Sequence, residues 1–279
     1  MPRLSQRHPA LYRLRVAQLR LARRLHDRLS RQPFAERQAA ELLPVVVVRH
    51  GSLLRRRLGS LDPALQDAKI ENLRLAIRSL DGLVIEPGET VSFWRRIGPP
   101  SARRGYRDGL ILRQGIPSVG TGGGLCQLAN LLHWMALHTP FEVVERHHHS
   151  VDLFPDDRRA LPFGSGAGVF YNYGDLRLRN PTDQPFQLEL WLTDDHLRGR
   201  IRSIRPLDVS YHVFEVGHRF EAAPGGVVRC NEIWRRPVDR ATGRELGDEL
   251  LMRNRSRVAY AVDPALVRQP GLTSMAASE

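Results

Sequence analysis

The chain has 279 residues, of which 42% are hydrophobic and 26% charged, proportions typical of a soluble globular protein with a sizeable core. Its two cysteines are too few for a disulfide framework, which excludes the class of small disulfide-stapled secreted domains. The formal net charge is +12, but all 42 basic residues except Lys69 are arginines, a bias typical of GC-rich genomes, so the total charge by itself indicates no particular partner.

The N-terminal segment is basic but does not have the pattern of a secretory signal or a membrane anchor. It lacks an apolar core of about 7–15 residues followed by small residues. No apolar run approaches the roughly 18–20 residues that a spanning helix needs. The sequence therefore predicts a cytoplasmic protein, with loose attachment to an anionic membrane face as the alternative.

The first predicted element is an amphipathic helix over residues 9–31. Leu11, Leu14, Ala17 and Leu21 recur at helical spacing, and arginines fill many of the other positions. The pattern favours a helix that packs on the main domain and leaves a basic face in solvent. A peripheral membrane contact is the alternative, whereas a nucleic-acid partner is disfavoured because aromatic residues do not alternate with the arginines.

Short strands and two further helices follow along the chain. One helix is predicted over residues 67–80, where Asp81-Gly82 ends it. The other, LCQLANLLHWMALH, follows a glycine-rich loop and is ended by Pro140. Strands are predicted at residues 44–48, 84–85, 90–94, 106–114, 141–149, 170–173, 176–179, 186–192 and 197–204, and strands and turns continue over 208–262.

These elements predict an α+β fold. The central helix after the glycine-rich loop is expected to pack on a mostly antiparallel sheet, with a basic helix at the N-terminus. Three regions are predicted: a basic helical extension over 1–66, a main domain over 67–205, and a β-rich extension and tail over 206–279. No pattern indicates the oligomeric state.

Cys126 is the residue most favoured for chemistry, because it stands where the glycine-rich loop becomes the central helix. A helix N-terminus presents free N–H donors and a partial positive charge, which lower the pKa of a thiol and favour the nucleophilic thiolate. The same amides, with the side chain of Gln127, would stabilise an oxyanion, and the glycines would let the backbone approach a ligand.

A cysteine nucleophile needs a base, and three histidines follow on the next predicted strand. On a strand His147 and His149 project to one face, from which either would reach the thiol. The pair would resemble the Cys/His arrangement of papain-like and transglutaminase-like enzymes, which act in acyl transfer or amide hydrolysis. The candidates for the group that orients the imidazole are Asp152, Glu145, Asn172 and Asp175.

Two other functions use the same residues. In the first, the chain is a non-catalytic module whose glycine-rich loop and helix N-terminus bind a carboxylate or a phosphate. In the second, Cys126, His147 and His149 bind zinc and leave a fourth position for water. No further cysteine or carboxylate stands at a diagnostic spacing, so neither a metal nor a cofactor is predicted.

Several blocks of the sequence resemble the VanW family, which is named from vancomycin-resistance gene clusters. In chain order they read KIENLRLAIRSLDGLVIEPGETVSFWRRIG, GYRDGLIL, TGGGLCQLANLLHWMALHTPFEVVERHHHS and NPTDQP, and together they cover about residues 69–192. GGGLCQ and ERHHHS are the most specific of them. The opening RHPALYRLRVAQLRLARR is similar to the N-terminal extension of the short members of the family.

The resemblance implies a role in glycopeptide resistance or, more broadly, in cell-envelope biology, with a small molecule or a peptidoglycan precursor as ligand. After ERHHHS many members carry an aspartate in a D-A-T-V-like stretch, whereas this chain reads LPFGSGAGVFYNYGD there. The resemblance supplies no reaction, but the motif residues map here onto the candidate catalytic residues Cys126, His147 and His149 and the candidate ligand-binding residues Gly122, Gly123, Gly124, Gln127, Glu145 and Arg146.

Overall fold

The computed structural model of the chain describes residues 9–55, 64–113, 116–148, 151–153, 155 and 161–268. Its helices are α1 (Pro9–Leu29), α2 (Ala64–Ile77), α3 (Phe93–Ile97) and α4 (Cys126–Leu137), with 3-10 turns at Ala102–Arg104 and Pro264–Leu266. Its strands are β1 (Val45–Leu53), β2 (Val84–Ile85), β3 (Thr90–Ser92), β4 (Asp108–Arg113), β5 (Ile116–Thr121), β6 (Glu142–Glu145), β7 (Val151–Asp152), β8 (Arg177–Arg179), β9 (Phe186–Leu192), β10 (His196–Ser203), β11 (Val209–Ala223), β12 (Gly226–Asp239), β13 (Glu249–Val258) and β14 (Val267–Arg268).

The strands assemble into four sheets within the described ranges. The central sheet has the order β1-β10-β9-β2 and is antiparallel throughout. A five-stranded sheet, β14-β11-β12-β13-β7, is built on the long β11–β12 hairpin. Its two short edge strands are parallel to their neighbours, β14 to β11 and β7 to β13. The β3-β8-β6 sheet and the β4-β5 hairpin are also antiparallel. They carry several of the motif residues, or residues that contact the motif residues.

Helix α4 packs on β1 and β10 of the central sheet. Its side chains Leu128, Leu131 and Met135 are fully buried. Gly199 of β10 permits the close approach, because a Cβ there would lie only 2.8 Å from Met135 Cε. Each buried apolar side chain contributes about 1.5–3 kcal/mol, so the core holds α4, and with it Cys126, in one place on the sheet.

The predicted α+β class, with α4 on a mostly antiparallel sheet and α1 at the N-terminus, is confirmed. Two local predictions were wrong. Phe93 begins α3 instead of lying in a strand, because Ser92 Oγ accepts the Arg95 N–H and so caps a helix. Residues 170–173 form a turn, which the bridge between Phe170 and Gly174 closes.

The strand predicted over residues 141–149 is shorter in the structure. β6 ends at Glu145, after an irregularity in its pairing with β8. His147 makes an isolated bridge with Gly168, and His149 lies outside the described residues. His147 thus lies beyond the end of β6, and the prediction that it shares one face with His149 is not tested, because His149 is outside the described residues. The division into 1–66, 67–205 and 206–279 stays a prediction.

Helix α1 docks on the domain through the side that carries Arg20, Arg23 and Asp27 together with the half-buried Tyr12, Val16 and Leu19. Arg23 and Asp27 pair with charged side chains of the domain, and Arg20 Nε donates to the Tyr171 carbonyl at 2.8 Å. The leucine stripe of the helix faces solvent instead. The predicted packing on the domain occurs, and Arg13, Arg15, Arg24 and Arg28 stay exposed as predicted. The predicted apolar stripe is exposed as well, because charged side chains of the domain pair with Arg23 and Asp27 and fix the orientation of the helix. No helix in the described part of the chain, α1 included, is long and apolar enough to cross a membrane.

Candidate functional site

A polar face of α4 lies along the backbone of a loop segment, residues 163–169. Cys126, Asn130 and His133 are spaced as i, i+4 and i+7 and therefore share one side of the helix. The backbone of Val169 hydrogen-bonds the Cys126 thiol, and Asn130 Oδ1 accepts the Ala167 N–H at 2.6 Å. His133 Nδ1 lies 2.8 Å from the Ser165 carbonyl oxygen. Cys126, Asn130 and His133 of the helix thus contact residues 169, 167 and 165 of the segment, respectively.

The opposite side of this segment is held by residues that follow β6. The Arg146 guanidinium donates to the carbonyl of Gly164 and, at 2.9 Å, to that of Gly166. The His147 carbonyl accepts the Gly168 N–H at 2.7 Å. GGGLCQ and ERHHHS, the two most specific motifs, therefore meet on the segment of residues 163–169.

The Cys126 thiol does not have the electrostatic character that its position predicted. The residue is half-buried, and burial raises the pKa of its thiol above the ordinary value. Hydrogen bonds from the backbone of Val169 and of Cys126 itself act in the opposite direction but do not offset this burial. The expected lowering of the pKa by the helix N-terminus was wrong, and Cys126 rests as a neutral thiol.

His147 forms a hydrogen-bonded pair with Glu145, in which Nε2 lies 2.9 Å from Oε1. With the Nε2 proton on that bond, Nδ1 is the basic nitrogen of the ring. His147 and Cys126 contact consecutive residues, Gly168 and Val169, although no hydrogen bond joins the two side chains where the structure describes them. The side chain of His147 is 42% exposed, which leaves the ring open to a ligand.

Of the four candidates for orienting the imidazole, Glu145 is the one that contacts it. Asp175 instead accepts hydrogen bonds from Ser92 and from the backbone of Trp94. Asp152 contacts Arg229 and Tyr260. Position 145 was singled out in the sequence for its place in the ERHHHS motif, and the structure adds its contact with the ring.

The glycine-rich loop before α4 packs on its own chain. The N–H groups of Gly122, Gly123 and Gly124 all donate to carbonyls of the chain. A Cβ on Gly123 would lie 2.1 Å from the Gly109 carbonyl carbon, so this glycine is required for the close packing of two backbone segments. Gln127 Nε2 donates to the Leu53 carbonyl at 2.8 Å. These donors thus have partners inside the chain, and a ligand-binding role for them stays a prediction.

A buried network of charges surrounds Glu145 and includes residues that the sequence did not single out. Arg23 of α1 makes two hydrogen bonds of 2.6 Å to the Glu145 carboxylate. Arg177 pairs with Asp27 of α1 through two bonds of 2.8 Å and with Asp175 at 3.0 Å. Arg20, Arg23 and Asp27 recur on one face of α1, and this spacing was the signal in the sequence that could have indicated a second, polar docking face.

The network holds Glu145 in its ionised form. Burial by itself would raise the pKa of Glu145, but hydrogen bonds from His147, from the Asp175 backbone and from Arg23 together lower it to about 2. His133, in contrast, is neutral, because burial lowers its pKa to about 3 and Arg146 acts in the same direction. The site therefore combines a fixed carboxylate, a neutral thiol and a buried neutral imidazole.

The structure bears on the zinc hypothesis only in part. Within the described ranges no three His, Cys, Asp or Glu side chains are close enough together to hold a metal ion. One of the three proposed ligands, His149, lies outside those ranges. Zinc binding stays a prediction.

Replacing Glu145 with glutamine should change how stability depends on pH. The pKa of Glu145 in the folded chain, about 2, is below its ordinary value of 4.5. The carboxylate therefore stabilises the fold above about pH 4.5, by about 3 kcal/mol, and this contribution is lost as the pH falls from about 4.5 toward 2. Urea unfolding of the wild type and of E145Q at pH 6, 4 and 3 should show a difference that shrinks with falling pH.

Glu142→Gln is the matched control for this measurement. Glu142 lies on the same strand and pairs with Arg179, but both side chains are more than 40% exposed. E142Q should therefore change the free energy of unfolding by less than about 1 kcal/mol. A difference between the wild type and E145Q that stays constant from pH 6 to pH 3 would contradict the role of an ionised Glu145.

Comparison with known proteins relates the whole of this region to one family. The family model described as "VanW like protein" matches residues 68–202. The chain is 31% identical over 258 residues to the vancomycin B-type resistance protein VanW of Enterococcus faecalis (strain ATCC 700802 / V583), which covers 92% of this chain and 94% of that protein. It is 29% identical over 121 residues to the uncharacterized protein YoaR of Bacillus subtilis (strain 168), covering 42% of this chain and 37% of that protein. No solved structure matches the chain.

Proposed function

This chain belongs to the VanW family, and we propose that it acts in glycopeptide resistance through thiol-dependent acyl transfer on a peptidoglycan precursor. Similarity to a vancomycin B-type resistance protein over nearly its whole length supports the biological role. The observation that supports the chemistry is that Cys126 and His147, which is paired with Glu145, contact the backbone of two consecutive residues, Val169 and Gly168.

In the proposed reaction His147 is the general base for a neutral Cys126 thiol. Nδ1 of His147 takes the thiol proton as Sγ bonds to the acyl carbon of an amide, and the carbonyl π electrons move to oxygen. Collapse of this intermediate breaks the C–N bond, and His147 returns the proton to the departing amine. Water or a second amine then attacks the thioester, which releases the acyl group and restores the thiol.

Glu145 would act in this reaction as the positioning residue for His147. Its lowered pKa keeps it ionised, and its bond to Nε2 leaves Nδ1 as the acceptor of the thiol proton. Because Val169 hydrogen-bonds the sulfur in the resting structure, the proposal requires this contact to break when the acyl group binds.

A second candidate is a non-catalytic module that binds the same precursor. The raised pKa of the Cys126 thiol favours it, because a neutral thiol is a poor nucleophile. In this case Cys126, Asn130 and Arg146 would serve only to hold the segment of residues 163–169 in shape.

A search for an acyl-enzyme separates the two candidates. Purified chain would be incubated with soluble peptidoglycan fragments that carry stem peptides, and its intact mass measured. For the enzyme we expect an acyl adduct that is present in the wild type, absent in C126A and formed about 100-fold more slowly in H147A, as the loss of a general base predicts. Cys230→Ala is the matched control, since Cys230 lies near Glu221 on β12, outside the sheet on which α4 packs, and the adduct should persist in this variant.

Alkylation of the thiol in C230A gives a second readout. The rate should rise with pH to a midpoint above the ordinary thiol value, about 8.5, because burial raises the pKa of Cys126. Calorimetric binding of the fragments that is equal in the wild type and C126A, with no adduct in either, would overturn the catalytic proposal and leave the binding module.

A further inference from the structure

Helix α1 presents an apolar face that the described chain leaves uncovered. Five of its six leucines are 44–79% exposed, and Leu19 alone is half-buried: the exposed ones are Leu11, Leu14, Leu21, Leu25 and Leu29. At about 100° per residue, these five positions fall within an arc of about 80° of the helix surface. Exposed apolar residues grouped in this way mark an interaction surface, unlike leucines that are scattered singly.

The opposite face of α1 fixes how these leucines are presented. Arg20, Arg23 and Asp27 dock on Tyr171, Glu145 and Arg177. Two of these contacts are bidentate ion pairs with side chains at most 18% exposed, so rotation of α1 to bury its leucines would leave charged groups without partners. The leucine stripe is therefore held outward by the fold.

Exposed arginines flank the leucine stripe on both sides. Arg13, Arg24 and Arg28 lie along one border and Arg15 lies along the other, all of them exposed. The single acidic residue of α1, Asp27, is already paired with Arg177. The outward half of α1 thus combines an apolar stripe with uncompensated positive charge.

We propose that α1 binds the surface of an anionic membrane. The leucines enter the boundary between headgroups and acyl chains, and the flanking arginines bind lipid phosphates. Charge decides for lipid over a second copy of the chain, because two copies joined along this stripe would place their flanking arginines beside each other. Docking in this way is independent of any chemistry at Cys126.

This arrangement places the motif network close to lipid. Glu145 and Arg177 contact one side of α1, and the membrane would contact the other. One helix diameter, about 10–12 Å, would then separate the network from the membrane surface.

Flotation of the full chain with vesicles tests the proposal. We expect the wild type to float with vesicles that contain phosphatidylglycerol and to remain in the bottom fraction with pure phosphatidylcholine. The triple variant L14Q/L21Q/L25Q, in which glutamine has a helix propensity similar to leucine, should bind at least tenfold more weakly. Raising the salt from 0.1 to 1 M shortens the Debye length from about 10 to about 3 Å and should weaken binding of the wild type.

Matched controls separate the α1 stripe from general hydrophobicity. Ile204, Leu246 and Leu266 are exposed to a similar extent elsewhere on the chain, and I204Q/L246Q/L266Q should bind as the wild type does. R13Q/R15Q/R24Q keeps the leucines and should also lose affinity for anionic vesicles. Equal flotation of the wild type and L14Q/L21Q/L25Q would overturn the proposal. It would also be overturned if no form of the chain bound vesicles and light scattering showed a dimer that L14Q/L21Q/L25Q alone abolishes.

Discussion

Replacing Arg177 with alanine is expected to lower the free energy of unfolding by about 3–5 kcal/mol, the range for breaking a buried ion pair by removing one partner. The Arg177 side chain is 3% exposed and lies against three carboxylates, those of Asp27, Asp175 and Glu145. Without the guanidinium these acids would repel one another in a site that water reaches poorly. Urea denaturation at pH 7, where all three ionise in the unfolded chain, measures the loss.

Arg179→Ala provides a control on the same strand. Arg179 lies two residues further along β8 and pairs with Glu142, but both side chains are more than 40% exposed. The alanine variant should lose at most about 1 kcal/mol. Comparable losses in R177A and R179A would mean that the buried network does not stabilise the fold, and would also remove the argument that α1 is held in its observed orientation.

Gly123→Ala is expected to destabilise the chain by about 3 kcal/mol, at the upper end of what overpacking of a core usually produces. A Cβ at this position would lie 2.1 Å from the carbonyl carbon and 2.4 Å from the carbonyl oxygen of Gly109. Both are backbone atoms of β4, so relief requires the hairpin or the start of α4 to shift. Such a shift would also disturb the Asn72 hydrogen bond to the Gly123 carbonyl, which is 2.9 Å long.

Gly51→Ala tests whether the loss in G123A comes from this contact. Gly51 also has ordinary backbone angles, but a Cβ there would meet only the Arg198 side chain, at 3.1 Å, and that side chain can move. The change should stay within about 1 kcal/mol. Thermal unfolding of both variants gives the comparison, and a G123A protein as stable as G51A would show that the loop has room for a side chain.

The two proposals make different use of the same region. The proposed chemistry needs Cys126 and His147 on the side of α4 that faces residues 163–169, whereas membrane binding needs only the outward face of α1. The Glu145 carboxylate connects them, because it bonds both His147 and Arg23 of α1. An effect of vesicles on the alkylation rate of Cys126 would show that the two are coupled.

Most of the local structure of this chain follows from its sequence. The period of apolar residues predicted α1, α2 and α4, and the alternation over residues 186–192 predicted β9 with the same bounds. The α+β class and the position of Cys126 at the start of α4 follow from these elements and from the glycine-rich loop before it. Each of these features depends on neighbours within a few turns, which a sequence pattern reports directly.

Only the tertiary structure decided which faces are covered and which charges pair. Arg23 and Glu145 are 122 positions apart, and Asp27 and Arg177 are 150 apart, so no local pattern indicates that these pairs hold α1 with its leucines outward. The same holds for Cys126, whose pKa is raised because a segment some forty residues later in the chain covers the thiol. Helix position alone predicted a lowered value, since the dipole is a local property whereas desolvation depends on what the rest of the chain places against the sulfur.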